Sequence, residues 1–444
     1  MMKTVLQNGR IIDPSQNLDI IGCIEIVDNQ VTSIGPDVCL EDAEEVYDCK
    51  GLWIVPGLVD IHTHLREPGL EHKETIITGT QAAAAGGYTT ICCMPNTNPS
   101  LDNSALVDFI MDQSASPEAG GVFVAPIGAL TKGLKGEELA DLTALKRAGV
   151  VAASDVTCPT QDSTMMMKAM EFCVMLNLPI MAHCEDLSLS RNTCMNEGPT
   201  SAMLGLNGAN RCAEEIMVMR NCLLSLHTGC HLHIMSVSTW GALEMIRQAK
   251  YLGAPVTCEV NPHHLLFTDE NIGEFNPYFK TRPPLRTQVD IDIITQGLAD
   301  GTIDCIATDH SPHANYEVEV PFEHAPFGVA GLESTVGAIL TNLTHKGKLS
   351  PLDTIKLLST GPANVLKLEA GTLQPGETPF AQVTVIDPDL EWVFDTKKTF
   401  TKGKNSPYQG MKFKGKPVLT FCGGEIYRDA YFNEERYQGM FVLG

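Results

Sequence analysis

The stretch Asp60-Ile61-His62-Thr63-His64-Leu65-Arg66-Glu67-Pro68-Gly69 holds the residues whose types and spacing best suit chemistry, and an apolar run, 52–59, leads into it. Side chains two apart on a β-strand share a face, so His62 and His64 project together. Two imidazoles at that spacing reach one divalent ion, and Arg66, two residues further on, can face the same cavity as a carboxylate clamp. A bare His-x-His is common on surfaces; the buried run before it and Arg-Glu-Pro-Gly after it carry the weight.

Other polar residues follow apolar runs in the same way. Short runs at 57–64, 88–94, 121–127, 150–153, 178–182, 231–237, 255–260 and 303–308 alternate with longer helical patterns. Eight strands in such alternation predict a parallel α/β fold, a (β/α)8 TIM-type barrel over 54–368. Active sites of such barrels lie at the C-terminal ends of the strands. Strand-end residues give His62, His64, Asp155, His183 and Asp309, with Arg66, Asn96 and His313 nearby. Three histidines and two carboxylates suit zinc or a similar divalent ion. Two ions sharing a carboxylate about 3.5 Å apart would generate a strong nucleophile at neutral pH.

The elements between and around the strands are less chemical. Residues 162–176 have helical period, with Met166, Met170, Cys173 and Val174 on one face and the triplet Met165-Met166-Met167 read as packing. The link 312–331 has few helix signals and reads as an active-site loop. Both chain ends alternate with period two, which predicts a small composite β-sandwich built from residues 1–53 and 369–444.

Composition excludes several partners. A formal net charge of −23 argues against nucleic acid and anionic membrane, which need clustered cations. The N-terminus lacks the apolar core of a secretory signal, and no run suits a membrane span. Fifteen cysteines without a Cys-x-x-Cys pair read as reduced, mostly buried thiols, so a cytoplasmic location is expected.

Taken as a set, residues 55–69, 94–99, 182–186, 258–265, 283–286, 307–313 and 325–328 resemble the class I dihydroorotase family of the amidohydrolase superfamily. The resemblance implies a metal-dependent cyclic amide hydrolase that interconverts N-carbamoyl-L-aspartate and L-dihydroorotate in pyrimidine synthesis. It implies that His62, His64 and Asp309 hold a first metal, that Asp155 bridges, and that His183 holds a second. Arg66, Asn96 and His313 match the groups that hold the substrate carboxylate. Three positions depart from the family pattern: Ser236 stands where a histidine ligand is usual, Val156-Thr157 where Asp-Gly follows Asp155, and Arg282 where Asn precedes Pro283. His233, three residues from Ser236, is expected to face the other side of its strand and not to substitute.

The resulting expectation is one zinc per chain with a weakened or missing second site. A metal-held hydroxide attacks the ring amide, and Asp309 acts as general base and then acid. The expected partner is a small-molecule substrate, in a homo-oligomer with room for aspartate carbamoyltransferase. Two alternatives stand beside it: a non-catalytic dihydroorotase-like scaffold, suggested by Ser236, and another cyclic amidase of hydantoinase or allantoinase type, disfavoured by Arg66.

Overall fold

The computed structural model describes residues 2–36, 42–430 and 441–443. The N-terminal segment supplies β1 (Lys3–Asp13), β2 (Leu18–Val27), β3 (Gln30–Gly35), β4 (Glu45–Asp48) and β5 (Trp53–Pro56). Eight barrel strands follow: β6 (Leu58–Thr63), β7 (Tyr88–Cys93), β8 (Phe123–Ala129), β9 (Ala152–Ser154), β10 (Ile180–Ala182), β13 (Leu232–Ile234), β14 (Val256–Val260) and β15 (Cys305–Ile306). A small pair, β11 (Met195–Asn196) and β12 (Gly208–Ala209), interrupts them. The C-terminal segment adds β16 (Val383–Val393), β17 (Lys412–Cys422), β18 (Glu425–Arg428) and β19 (Phe441–Leu443).

The barrel strands pair in parallel in chain order from β6 to β15. The gap between the first and last is closed by a parallel bridge from Thr63 to His310, where the His64 N–H donates to the His310 carbonyl at 2.8 Å. The terminal segments form a separate nine-stranded mixed sheet, ordered β18-β17-β16-β5-β1-β2-β3, with β4 pairing both β1 and β19. β5 straddles the expected boundary at residue 53: it belongs to this sheet, paired with β1 and β16. Within the expected terminal segments, residues 1, 37–41, 431–440 and 444 lie outside the described residues.

Burial follows from the pleat. Leu58, Tyr88, Ile91, Val124, Ile180, Leu232 and Val256 pack outward against the helices, whereas Val59, Ile61, Cys92, Ala125, Ile127, Met181 and Cys305 fill the barrel with Val365 and Leu366. The helix Ser163–Leu176 starts where expected, with the Asp162 carboxylate accepting the Met165 N–H at 2.8 Å. Its inward face holds Met166, Ala169, Met170 and Cys173; Val174, expected on that face, is instead 44 % exposed. One helical step past Cys173 turns it out of the apolar stripe.

Strict alternation along β6 would send His62 outward, because Val59 and Ile61 point into the barrel. The register of β6 on β7 shifts between Asp60 and Thr63, a bulge that reverses the parity and brings His62 inside. A bulge leaves backbone donors out of the ladder, and the buried Asp60 carboxylate collects them. Its Oδ1 accepts the N–H groups of His62 and Thr308, each at 3.1 Å, and its Oδ2 accepts the Thr308 hydroxyl. Asp60 thereby ties the first barrel strand to the end of the last. Asp60→Ala should lower the unfolding free energy by about 2–4 kcal/mol, the cost of stranding these buried donors. Urea unfolding at equal m-value reads the change; a midpoint like that of the unmodified chain would reject the role.

Candidate active site

A cavity of about 390 Å³ opens at the C-terminal end of the barrel, lined among others by His62, His64, Arg66, Asn96, His183, Arg282, Asp309 and His313. Its floor carries the tightest cluster. His62 Nε2 lies 3.3 Å and His64 Nε2 3.4 Å from Asp309 Oδ1, and all three residues are buried. His62 Nε2 is buried and has no hydrogen-bond partner.

Each imidazole is turned by its other nitrogen. His62 Nδ1 bonds Glu259 Oε1 at 2.5 Å, and His64 Nδ1 bonds Asn96 Oδ1 at 2.7 Å. A carboxylate or amide oxygen on Nδ1 fixes the tautomer that leaves the Nε2 lone pair free, the arrangement of metal-ligating histidines. The donor set therefore fits a divalent ion between His62, His64 and Asp309. The other carboxylate oxygen of Glu259 bonds His233 Nε2 at 3.2 Å, so His233 stands inside the barrel and supports His62 through Glu259. β13 ends at Ile234, and Ser236 is already in the following turn; simple alternation from His233 does not reach it.

Charge follows the same geometry. Burial opposes an imidazolium at His62, but Glu259 and Asp309 outweigh it and push its pKa up to about 9. Burial, with Arg66 and His62 nearby, brings His64 down to about 4 despite Asp309. Burial alone would raise the Asp309 carboxyl, yet the His62 and His64 rings hold it well below the usual carboxylate range. Asp309 is thus an anion among imidazoles, a fixed negative charge that favours a cation beside it.

Three site residues adopt left-handed backbone: Arg66 at φ 64°, Ser236 at φ 52° and Asp309 at φ 49°. Each costs of order 1 kcal/mol or more for a residue with a Cβ, and such strain gathers at functional sites. The buried Arg66 guanidinium donates from Nε to the Pro312 carbonyl at 3.2 Å, and its Nη2 approaches His313 Nε2 at 3.3 Å. His313 is occupied at both nitrogens: Nε2 with the Phe327 carbonyl at 3.0 Å, Nδ1 with Lys73 Nζ at 3.3 Å. Burial, then Arg66 and Lys73, bring its pKa down to about 3, so it is neutral, with the proton on Nε2 facing the carbonyl.

The remaining expected ligands stand apart from this cluster. Asp155 spends its oxygens on backbone: Oδ2 accepts the Thr160 N–H at 2.7 Å, and Oδ1 accepts the His183 N–H at 3.1 Å. His183 reaches the cavity, but its Nε2 bonds Glu185 Oε2 at 3.2 Å, and Arg282 grips Glu185 through Nε and Nη2 at 2.9 Å. Among the described residues, the only metal-competent group in this cavity is His62, His64 and Asp309. The sequence reading passed over Glu259, Glu185 and His263, whose Nε2 faces Asp309 Oδ2 at 3.9 Å. For Glu259 a signal existed: a carboxylate at an inward position of an otherwise apolar strand needs a partner.

Comparison with known proteins agrees with this geometry. Residues 51–241 match a family model described as dihydro-orotase-like. The dihydroorotase of Pelotomaculum thermopropionicum is 45% identical over 96% of this chain and 98% of its own length. That of Solibacter usitatus is 43% identical over 96% and 98%. Among solved structures, an L-hydantoinase from Arthrobacter aurescens superposes with a TM-score of 0.86 over 97% of this chain and 96% of its own, at 24% identity, and so shares the fold. With that fold, a His-x-His and aspartate cluster at the strand ends, and close relatives along nearly the whole length, the chain belongs to the dihydroorotase family of metal-dependent cyclic amide hydrolases.

Proposed function

We propose that this chain interconverts L-dihydroorotate and N-carbamoyl-L-aspartate, using one zinc or similar divalent ion held by His62, His64 and Asp309. The observation that carries the reading is the unpartnered, buried Nε2 of His62, set beside His64 Nε2 and Asp309 Oδ1 on the floor of a cavity walled by Arg66. When bound, the ion supplies Lewis acidity toward the amide carbonyl and acidifies water.

The protein's own groups do the rest. Arg66 keeps guanidinium donors for a carboxylate after its single bond to Pro312. Asn96 spends its oxygen on His64, which leaves its amide N–H groups for the same carboxylate. His313 has both nitrogens engaged, Nε2 donating to the Phe327 carbonyl and Nδ1 accepting from Lys73, and stands beside Arg66 as part of the same wall. Asp309 takes the proton from the attacking water and passes it to the ring nitrogen as the carbon–nitrogen bond breaks; in the reverse direction it removes that proton. The thiols support a reducing, cytoplasmic setting: every cysteine among the described residues is free, and only Cys158 and Cys212 are exposed. Among the described residues no helix is long and apolar enough to cross a membrane.

A single-ion site follows from Ser236, whose short hydroxyl is a poor ligand, and from His183 and Asp155, which already have protein partners. Protein loaded with zinc should bind about one ion per chain and hydrolyse dihydroorotate. Full loading without turnover would favour the scaffold reading that Ser236 suggests. Ser236→His should raise the content toward two ions and increase kcat several-fold, and histidine tolerates the left-handed backbone there better than most residues. Two ions already present in the unmodified chain would reject the single-ion assignment.

A further inference from the structure

The connection from β16 to β17, residues 394–411, leaves the terminal sheet and reaches the mouth of the barrel. Two carboxylates from the barrel segment hold its middle. Glu333 Oε1 accepts the N–H groups of Phe400 at 2.9 Å and Thr401 at 3.2 Å. Glu74, fully buried, accepts the Lys402 N–H at 3.2 Å and the Thr401 hydroxyl. Gly403 then passes so close to the start of the 312–331 loop that a Cβ there would lie 2.6 Å from both the His313 nitrogen and Pro312 Cβ.

Asn405, only 2 % exposed, ends this approach with a full set of hydrogen bonds. Its Oδ1 accepts the His313 backbone N–H at 2.8 Å, and its Nδ2 donates to the carbonyls of Ser311 and Gly328, each at 2.9 Å. Its own carbonyl accepts the Ala330 N–H at 2.9 Å. One residue of the C-terminal segment thus ties the start of the loop to its end. Asparagine is the side chain of this length with one acceptor and two donors to offer.

We infer that Asn405 is a positioning residue for the substrate carboxylate, a role that rests on the dihydroorotate activity proposed above. It is not among the residues lining the cavity; Ser311, His313, Phe327 and Gly328, which it holds directly or through a neighbour, are. Pro312, whose carbonyl takes the Arg66 Nε–H, lies between the two loop residues that Asn405 grips first. Phe327, whose carbonyl takes the His313 Nε2–H, directly precedes Gly328. Slackening the tie moves both carbonyls, and with them the guanidinium and ring they orient. A displacement of about 1 Å is enough to spoil such a site. The terminal sheet therefore acts on the barrel's chemistry through one asparagine.

Asn405→Asp keeps the shape but turns an oxygen toward two carbonyls. It should raise KM for dihydroorotate about tenfold, with kcat within about threefold and zinc content unchanged. A glutamyl endopeptidase, cutting after the exposed Glu319 and Glu323, should cleave the loop of the native variant about tenfold faster. Gly403→Ala pushes the connection away from Pro312 and His313 with Asn405 intact and should act in the same direction, so it carries the test if Asn405→Asp does not fold. A purely structural role would lower the urea midpoint and leave KM and loop cleavage as they are. An unmodified chain without dihydroorotate turnover would count against the proposed function, and loop cleavage would still read the tie. Unchanged KM in an active variant, or cleavage no faster than in the unmodified chain, would each overturn the inference.

Discussion

Asp309→Asn should lower kcat for dihydroorotate hydrolysis by about a thousandfold or more, with a much smaller change in KM. Loss of a positioned acid–base group alone costs roughly 10²–10⁴ in rate. Here the same side chain also faces both metal-competent imidazoles, at 3.3 and 3.4 Å, and its negative charge is what draws a cation to them. The amide keeps the shape and removes the charge, so zinc affinity should fall together with kcat. Steady-state kinetics in both directions, beside zinc titration of the apoprotein, separates the two losses. A variant that binds zinc as tightly as the unmodified chain and still turns over within tenfold would remove Asp309 from both roles.

Arg66→Met should act on the other side of the kinetics. The guanidinium is buried, and as the proposed carboxylate clamp it would meet the substrate equally in ground and transition states, so its removal should raise KM. Truncating one partner of a buried, hydrogen-bonded charge pair costs about 2–5 kcal/mol, which predicts a KM increase of about thirtyfold or more with kcat within roughly threefold. Burial lowers the Arg66 pKa to about 10, still cationic at neutral pH, so the clamp needs no titration to work. An unchanged KM would move the carboxylate elsewhere in the cavity. Arg282 would be the next residue to test, since it lines the same cavity and stacks on Phe327 at 5.1 Å.

The sequence by itself determined the architecture and the chemical inventory. Eight apolar runs ending in polar residues were enough for the barrel, because a strand buried on both faces needs a continuous apolar stretch while its C-terminal end meets the cavity. His62, His64 and Asp309 could be picked out as a candidate cluster for the same reason: polar side chains sit where the apolar run stops, and the structure brings these three together. The alternating chain ends likewise foretold a second sheet, whose β5 extends to Pro56.

Tertiary structure decided where those side chains point. His62 faces the cavity only because a bulge between Asp60 and Thr63 reverses the pleat, and Asp60 makes that bulge affordable by accepting N–H groups from both ends of the barrel. Nothing in the spacing of His-x-His tells which face it shares. Asp155 and His183 show the converse. Their types and positions suited a second ion, but Asp155 is taken by the Thr160 and His183 N–H groups and His183 by Glu185, itself gripped by Arg282. A local pattern specifies which donors a strand end offers; whether a donor is free depends on partners from other strands, nearly a hundred residues away in the case of Arg282 and Glu185.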